Sequence, residues 1–266
     1  MYIKVGSAMK LHIKIVSLLS FCVLSIVAQE INYENVTENR QSIGLCIMAT
    51  GKYVKFAAQL IESAERYFLP EHNRIYFVFT DHVQDLPQAS NIIPVYQKRL
   101  GWPYDTMMRC SVYLQHAVLY KDLDYMFACD VDMRFVDLVG DEILGMRVAT
   151  QHPGYVGRRG TYETNPKSQA YVHPHEGAIY FAGGFYGGSK DEFIAMNSTL
   201  LERISVDLDQ GIMPLWHDES HLNRYFIDYK PTIILSPSYC YPEGWNLNYH
   251  PRLLALNKNH AQMRAD

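Results

Sequence analysis

The stretch YMFACDVDMRF, residues 125–135, decides how this chain is read. An apolar run over 125–129 has the character of a buried strand, and it ends in two aspartates one residue apart. Side chains on a strand alternate faces, so Asp130 and Asp132 are expected to point the same way. Two carboxylates a few ångströms apart repel unless a cation lies between them or one is protonated.

The flanking sequence supplies the frame. IGLCIMAT, 43–50, is near-continuously apolar, as a strand covered on both faces would be. Residues 52–68 then place Val54, Ala57, Ala58, Ile61, Ala64 and Phe68 at helical spacing. RIYFVFT, 74–80, reads as a second strand, and NIIPVYQ, 91–97, as a third, with Pro94 placing it toward an edge. A helix is expected over 106–120, before the strand at 125–129. This alternation predicts an α/β domain with a mainly parallel central sheet flanked by helices. Ligands of such sheets bind at the carboxyl ends of the strands, where the two aspartates stand.

The second half is less regular. Residues 151–180 show little periodicity and are rich in His, Pro, Gly and Arg, and so long an irregular stretch usually lines a site. YFAGGFYGGS, 180–189, carries two glycine pairs that would suit a tight turn, and a helix over about 190–208 follows. No internal repeat and no linker marks a second domain.

With 266 residues, 48% of them apolar and 20% charged, the chain can bury a sizeable core. A net charge of −4 gives no reason to expect a nucleic-acid partner. Lys4, Lys10 and Lys14 precede an uncharged run over 15–28. That run is short for a bilayer span of about 20 residues and suits a signal peptide cleaved near Ala28, or a signal anchor that keeps a membrane attachment. Residues 1–30 are therefore expected to be the signal or anchor, 31–42 a short stem and 43–266 the catalytic domain. Asn35 and Asn197 each open a glycan-acceptor triplet, which fits a lumenal location in the secretory pathway, or secretion after cleavage. Cys46, Cys110, Cys129 and Cys240 show no metal spacing and read as free buried thiols.

Two motifs carry chemistry. Asp130 and Asp132 offer hard oxygens suited to Mn²⁺ or Mg²⁺ bridging a nucleotide diphosphate, though two solvated carboxylates would look the same. WHDESH, 216–221, sets an indole, two imidazoles and two carboxylates side by side. A carboxylate there could act as nucleophile or electrostatic stabiliser at an anomeric carbon, with Trp216 under a sugar ring. The same residues would also serve as a helix start, with Asp218 or Ser220 as cap, or His217 and His221 could ligate a metal in a hydrolase.

FACDVDMRF, HPGY, SQAY, GGFYGGS, WHDESHLNRYF, KPTIILSP and KNHAQMR occur in an order that resembles glycosyltransferase family six, and within it the histo-blood group ABO transferases. The resemblance covers about 43–264. It implies a GT-A type fold and a UDP-sugar donor with Mn²⁺. It also implies retaining transfer of N-acetylgalactosamine or galactose in α-1,3 linkage to a galactose-containing glycan. On this resemblance Asp130 and Asp132 hold the metal, and Val131 faces the donor. Met48, Ala49, Thr50 and Tyr53 lie at the uridine, and Arg109 in the donor region. Glu219 matches the proposed nucleophile, with Asp218 near the donor sugar and Trp216 on the acceptor side. His152 and Thr161 match acceptor-side residues, and Lys258 and Arg264 close over the diphosphate. The run Ala182-Gly183-Gly184 and Gly154 leave room for an acetamido group, which favours UDP-N-acetylgalactosamine. Where the family has an acidic residue, Pro242 stands with Glu243 beside it. The alternative is an inactive sugar-nucleotide or glycan-binding protein of the same fold, which would need neither the aspartates nor Glu219.

Overall fold

A computed structural model describes residues 40–264. The apolar run at 15–28, most of the expected stem, Asn35 and Cys22 lie outside the described residues. Among the described residues no helix is long and apolar enough to cross a membrane.

Strand β1 (Ser42–Met48) is buried through its middle and pairs in parallel with β2 (Asn73–Thr80) on one side and β4 (Tyr125–Asp130) on the other. Strand β3 (Ile92–Tyr96) adds in parallel to β2 at the rim, where Pro94 costs no ladder bond on its outer side. Strand β7 (Phe181–Ser189) runs antiparallel between β4 and β6 (Arg147–Gln151), and β8 (Ile233–Leu235) pairs in parallel with β6. The order is β3-β2-β1-β4-β7-β6-β8. A small sheet of β5 (Met133–Phe135), β10 (Leu253–Ala255) and β9 (Tyr241–Pro242) stands beside it. Residues Gln41–Asp266 form one compact unit.

Both sheet faces are covered, which is why the central strands lack polar alternation. Helix α1 (Ala57–Tyr67) buries Leu60, Ile61 and Ala64 in a layer with Leu45, Ile47, Phe127 and Phe185. The Phe127 and Phe185 rings stack at 5.6 Å, with Phe68 edge-on at 5.9 Å from Phe127. The other face packs Phe77, Phe79, Tyr113, Phe193 and Leu222. Those side chains come from the sheet, α3 (Arg109–Gln115), α4 (Lys190–Asp209) and α5 (His217–Asp228).

Three expectations change. The helix expected over 106–120 is broken into α2 (Tyr104–Met107), α3 and a 3₁₀ turn at Ala117–Tyr120, which lets Arg109 turn inward. The double-glycine run is a strand, not a turn. A Cβ on Gly187 would lie 2.2 Å from the Met126 carbonyl oxygen, and one on Gly188 2.0 Å from that of Met146, so these positions exclude side chains by close backbone approach. Asn197 is fully buried in α4 and donates to the Phe193 carbonyl at 2.8 Å, so its triplet is no glycan acceptor in the folded domain. Cys46, Cys110, Cys129 and Cys240 are free thiols, as expected.

Candidate active site

The chain reverses its sheet direction at β1, with β2 and β3 added on one side and β4 on the other. A crevice opens at such a switch point beyond the strand ends. Met48 and Asp130, the last residues of β1 and β4, are register partners there. A cleft of about 230 Å³ is lined by Met48, Thr50, Tyr53, Arg109, Asp130, Val131, Asp132, Lys258 and Arg264. All but one of the residues expected at the diphosphate and uridine are thus brought together. The exception is Ala49, which is fully buried with its N–H on the Phe79 carbonyl at 2.8 Å, so its side chain does not reach the cleft.

The aspartates correct the strand argument. Asp130 closes β4, whereas Asp132 lies in the turn before β5, so period-two alternation does not place it. Their surroundings differ too. Asp132 is buried, and burial together with the Asp130 charge raises its carboxyl above the ordinary range; an ion pair with Lys258 opposes this. Asp130 is partly open and takes Arg109 Nη1 at 2.9 Å, while Arg109 Nε reaches Asp218 at 3.0 Å. Burial alone would lower the Arg109 pKa, but the two carboxylates outweigh it and hold the guanidinium charged. Helix α6 (His260–Arg264) covers the cleft, with the Arg264 guanidinium 3.4 Å from the Trp102 ring centroid.

Glu219 sits in the first turn of α5. Its Oε1 accepts from the Tyr180 hydroxyl at 2.9 Å and its Oε2 from the Gly183 N–H at 2.8 Å. Burial pushes its carboxyl up to about 7, against the pull of those two donors. Burial likewise pushes Asp218 up to about 6 despite Arg109. Asn223 pins the helix to β7 by accepting from the Phe181 N–H and donating to its carbonyl, both at 2.8 Å. Gly183 and Gly184 floor the space between Glu219 and the cleft. A Cβ on Gly183 would lie 3.5 Å from Glu219 Oε2, and one on Gly184 3.6 Å from Asp130 Oδ2.

On the other side of Tyr180 lie the expected acceptor residues. The His152 ring is 5.7 Å from that of Tyr180. His152 Nδ1 accepts from the Gly154 N–H at 3.0 Å, so the proton sits on Nε2. Burial lowers its pKa to about 4 and keeps it neutral. Thr161 Oγ1 shares a hydrogen bond of 2.8 Å with the Tyr155 hydroxyl, and Tyr155 packs 4.8 Å from Tyr180. Trp216, half-exposed, precedes α5, and its N–H is taken by Ser220 Oγ at 2.9 Å. Asp218 is therefore spent on Arg109 and is no helix cap. His217 and His221 share no site. His217 packs 4.7 Å from the Trp102 ring, while His221 is fully buried. Glu243, beside the departing Pro242, accepts from the Asn257 N–H at 2.9 Å.

Sequence reasoning missed Tyr180, one of twenty tyrosines, because no spacing tells which of them meets Glu219. It also missed Trp102, which only the fold brings to Arg264 and His217. The Tyr180→Phe variant removes one donor to a carboxylate, worth about 1.5 kcal/mol or roughly tenfold in turnover. Because that donor favours the ionised form, the acid limb of the rate profile moves to higher pH in the variant. A pH profile of kcat/KM checks both.

The model of glycosyltransferase family 6 matches residues 25–265. The chain belongs to glycosyltransferase family 6. It is 36% identical to histo-blood group ABO system transferase 1 of Rattus norvegicus over 256 residues, 91% of this chain and 72% of that protein. Transferase 2 of the same system and species is 37% identical over 238 residues, 84% of this chain and 71% of the relative. Globoside alpha-1,3-N-acetylgalactosaminyltransferase 1 of Homo sapiens is 34% identical over 214 residues, 76% of this chain and 61% of the relative. The protein is accordingly a glycosyltransferase of the hexosyltransferase class, taking a nucleotide-sugar donor and a glycan acceptor. Its seven-stranded, mostly parallel sheet is of the GT-A type.

Proposed function

We propose that this glycosyltransferase moves N-acetylgalactosamine from its UDP donor, in α-1,3 linkage and with retention, onto a galactose-containing glycan. Galactose transfer by the same site is the second reading. The observation that carries the proposal is the setting of Glu219: a half-buried carboxylate aimed by Tyr180 and Gly183, with Gly183 and Gly184 between it and Asp130.

Asp130 and Asp132 fit a small divalent cation such as Mn²⁺. They are hard oxygen donors in one cleft, and the Lys258 ammonium paired with Asp132 marks a place where a cation is held. Among the described residues no cluster of three His, Cys, Asp or Glu side chains could hold a metal. Two carboxylates plus substrate phosphates is the usual arrangement for such an ion. When bound, the ion neutralises charge building on the leaving diphosphate. Lys258 and Arg264 add fixed positive charge on the same side, and α6 excludes water from the donor. Glu219 faces the anomeric carbon: it either bonds to that carbon as the diphosphate leaves and is then displaced by the acceptor hydroxyl, or stabilises the carbon's positive charge while the hydroxyl attacks. In both routes the hydroxyl enters on the face the diphosphate leaves. His152 Nε2–H donates to an acceptor hydroxyl. Ionised Glu219 is the active form, so kcat/KM falls as pH is lowered through about 7.

Small residues beside the donor support the acetamido sugar. A methyl on Gly184 would also lie 3.3 Å from Met133 Sδ and 3.4 Å from Cys240 Sγ, filling the space there. Gly184→Ala should therefore lower the kcat/KM ratio of UDP-N-acetylgalactosamine to UDP-galactose by about tenfold. Turnover of the purified chain with several UDP-sugars, Mn²⁺ and a galactoside panel tests the whole reading. UDP binding without turnover would make it an inactive binder instead. The secretory-pathway location, with the N-terminal segment as anchor or cleaved signal, belongs to the same proposal; intact mass of the protein after secretion tests it.

A further inference from the structure

Residues 161–172 contain no helix or strand, yet Tyr162, Glu163, Ser168, Ala170 and Val172 are buried. Two buried carboxylates organise them. Glu163 is 7% exposed; its Oε1 accepts from the Asn165 N–H and its Oε2 from the Leu215 N–H, each at 2.7 Å. Asp207, fully buried near the end of α4, accepts from the Ser168 hydroxyl at 2.5 Å and the Gln169 N–H at 2.7 Å. The two anchors differ in what they reach. Asp207 ties the segment to the end of α4, where its Oδ2 also lies 3.5 Å from His221 Nε2 in the body of α5. Glu163 ties it to the residue before Trp216, at the start of the helix that carries Glu219.

A buried carboxylate given two backbone donors is a costly choice for a plain loop, since a neutral side chain would avoid desolvating a charge. It is a good choice for fixing geometry, because charge-assisted bonds are short and directional. Thr161, two residues before Glu163, shares its hydroxyl with Tyr155. Tyr162, one residue before it, packs 5.0 Å from Tyr180, the donor to Glu219. Glu163 thus joins Thr161 and Trp216, two of the acceptor-side residues, from distant parts of the sequence, on one frame with the catalytic carboxylate.

We propose that Glu163 is a positioning residue for the acceptor: its bond to the Leu215 N–H sets where Trp216 stands relative to Thr161 and Glu219. The proposal rests on the transferase reading above. The test uses the full chain, UDP-N-acetylgalactosamine, Mn²⁺ and lactose as the galactose-containing probe. In Glu163→Gln one acceptor oxygen becomes an amide donor, and one of the two bonds is lost. The lactose KM should rise about tenfold, while UDP release without acceptor stays within about twofold. Amide hydrogen exchange should quicken over 211–217 but not in β1. Added to Trp216→Ala, the change should raise the lactose KM no further, since both act through the same ring.

Ser168→Ala, which removes the hydroxyl's bonds to Asp207 and to the Ala170 N–H but leaves both Glu163 bonds in place, should leave the lactose KM within about twofold. Glu163→Asp keeps the charge and should show the same pattern more weakly, and it serves if the glutamine variant does not fold. Equal loss of lactose transfer and acceptor-free UDP release would make Glu163 merely structural and overturn the proposal. So would an unchanged lactose KM with faster exchange at 215–216, or a Ser168→Ala effect equal to that of Glu163→Gln. A wild-type chain that releases UDP but ignores lactose would sink the acceptor reading first, and this inference with it.

Discussion

The Glu219→Gln variant is expected to lose about a thousandfold or more in turnover while its affinity for UDP stays within about threefold. The split follows from position. Glu219 lies beyond Gly183 and Gly184 from the cleft where Asp130, Asp132 and Lys258 gather, so the nucleotide does not need it. The reacting carbon does, because glutamine can neither bond to it nor carry the negative charge that steadies it. Glutamine is close in size: its one carbonyl oxygen can keep the Gly183 N–H, and its amide NH2 can donate to the Tyr180 hydroxyl in place of the bond it now accepts, so the loss reads chemistry rather than collapse. Stability gives an independent check. The folded carboxyl is raised from 4.5 to about 7, so the fold prefers its protonated form. That preference is fully present at low pH and is lost as pH rises through about 7. The glutamine variant has no such slope. It should melt above the wild type at pH 8 and level with it near pH 4.5. Near-wild-type turnover would remove Glu219 from the reaction; a melting difference that does not change with pH would remove the raised carboxyl.

The second large effect is expected at Asp132. Asp132→Asn should lower turnover by about a hundredfold or more and flatten or shift its dependence on added manganese to much higher concentration. Asp132 is the buried member of the pair, paired with Lys258, whereas Asp130 already answers to Arg109. An amide in that place keeps shape but offers one weaker oxygen and leaves Lys258 without its carboxylate. Rates measured over a manganese titration, with UDP release as readout, decide it. An unchanged manganese response would take the aspartates out of metal binding.

Much of the fold could be read directly from the chain. Apolar runs with no alternation at 43–48 and 125–129 announced strands covered on both faces, and Pro94 announced a rim strand. The strand at Phe181–Ser189 could not be read that way, because its glycines answer to backbone atoms of Met126 and Met146, far away in sequence. The same divide runs through the site. Asp130, Asp132, Asp218 and Glu219 stood out because unpaired carboxylates beside apolar runs demand partners. Which partners they found did not stand out. Arg109 spans Asp130 and Asp218 only because the expected helix breaks at Met108 and turns it inward. The resemblance placed Ala49 at the nucleotide by neighbourhood, whereas burial decides which of three adjacent residues faces out.

Lys258 resting on Asp132 has a further consequence. The buried acid of the cleft already has a counter-ion. Arrival of a nucleotide then swaps ionic partners instead of creating them. An exchange of this kind keeps the net gain in affinity modest, because the ion pair that is broken offsets the one that is made.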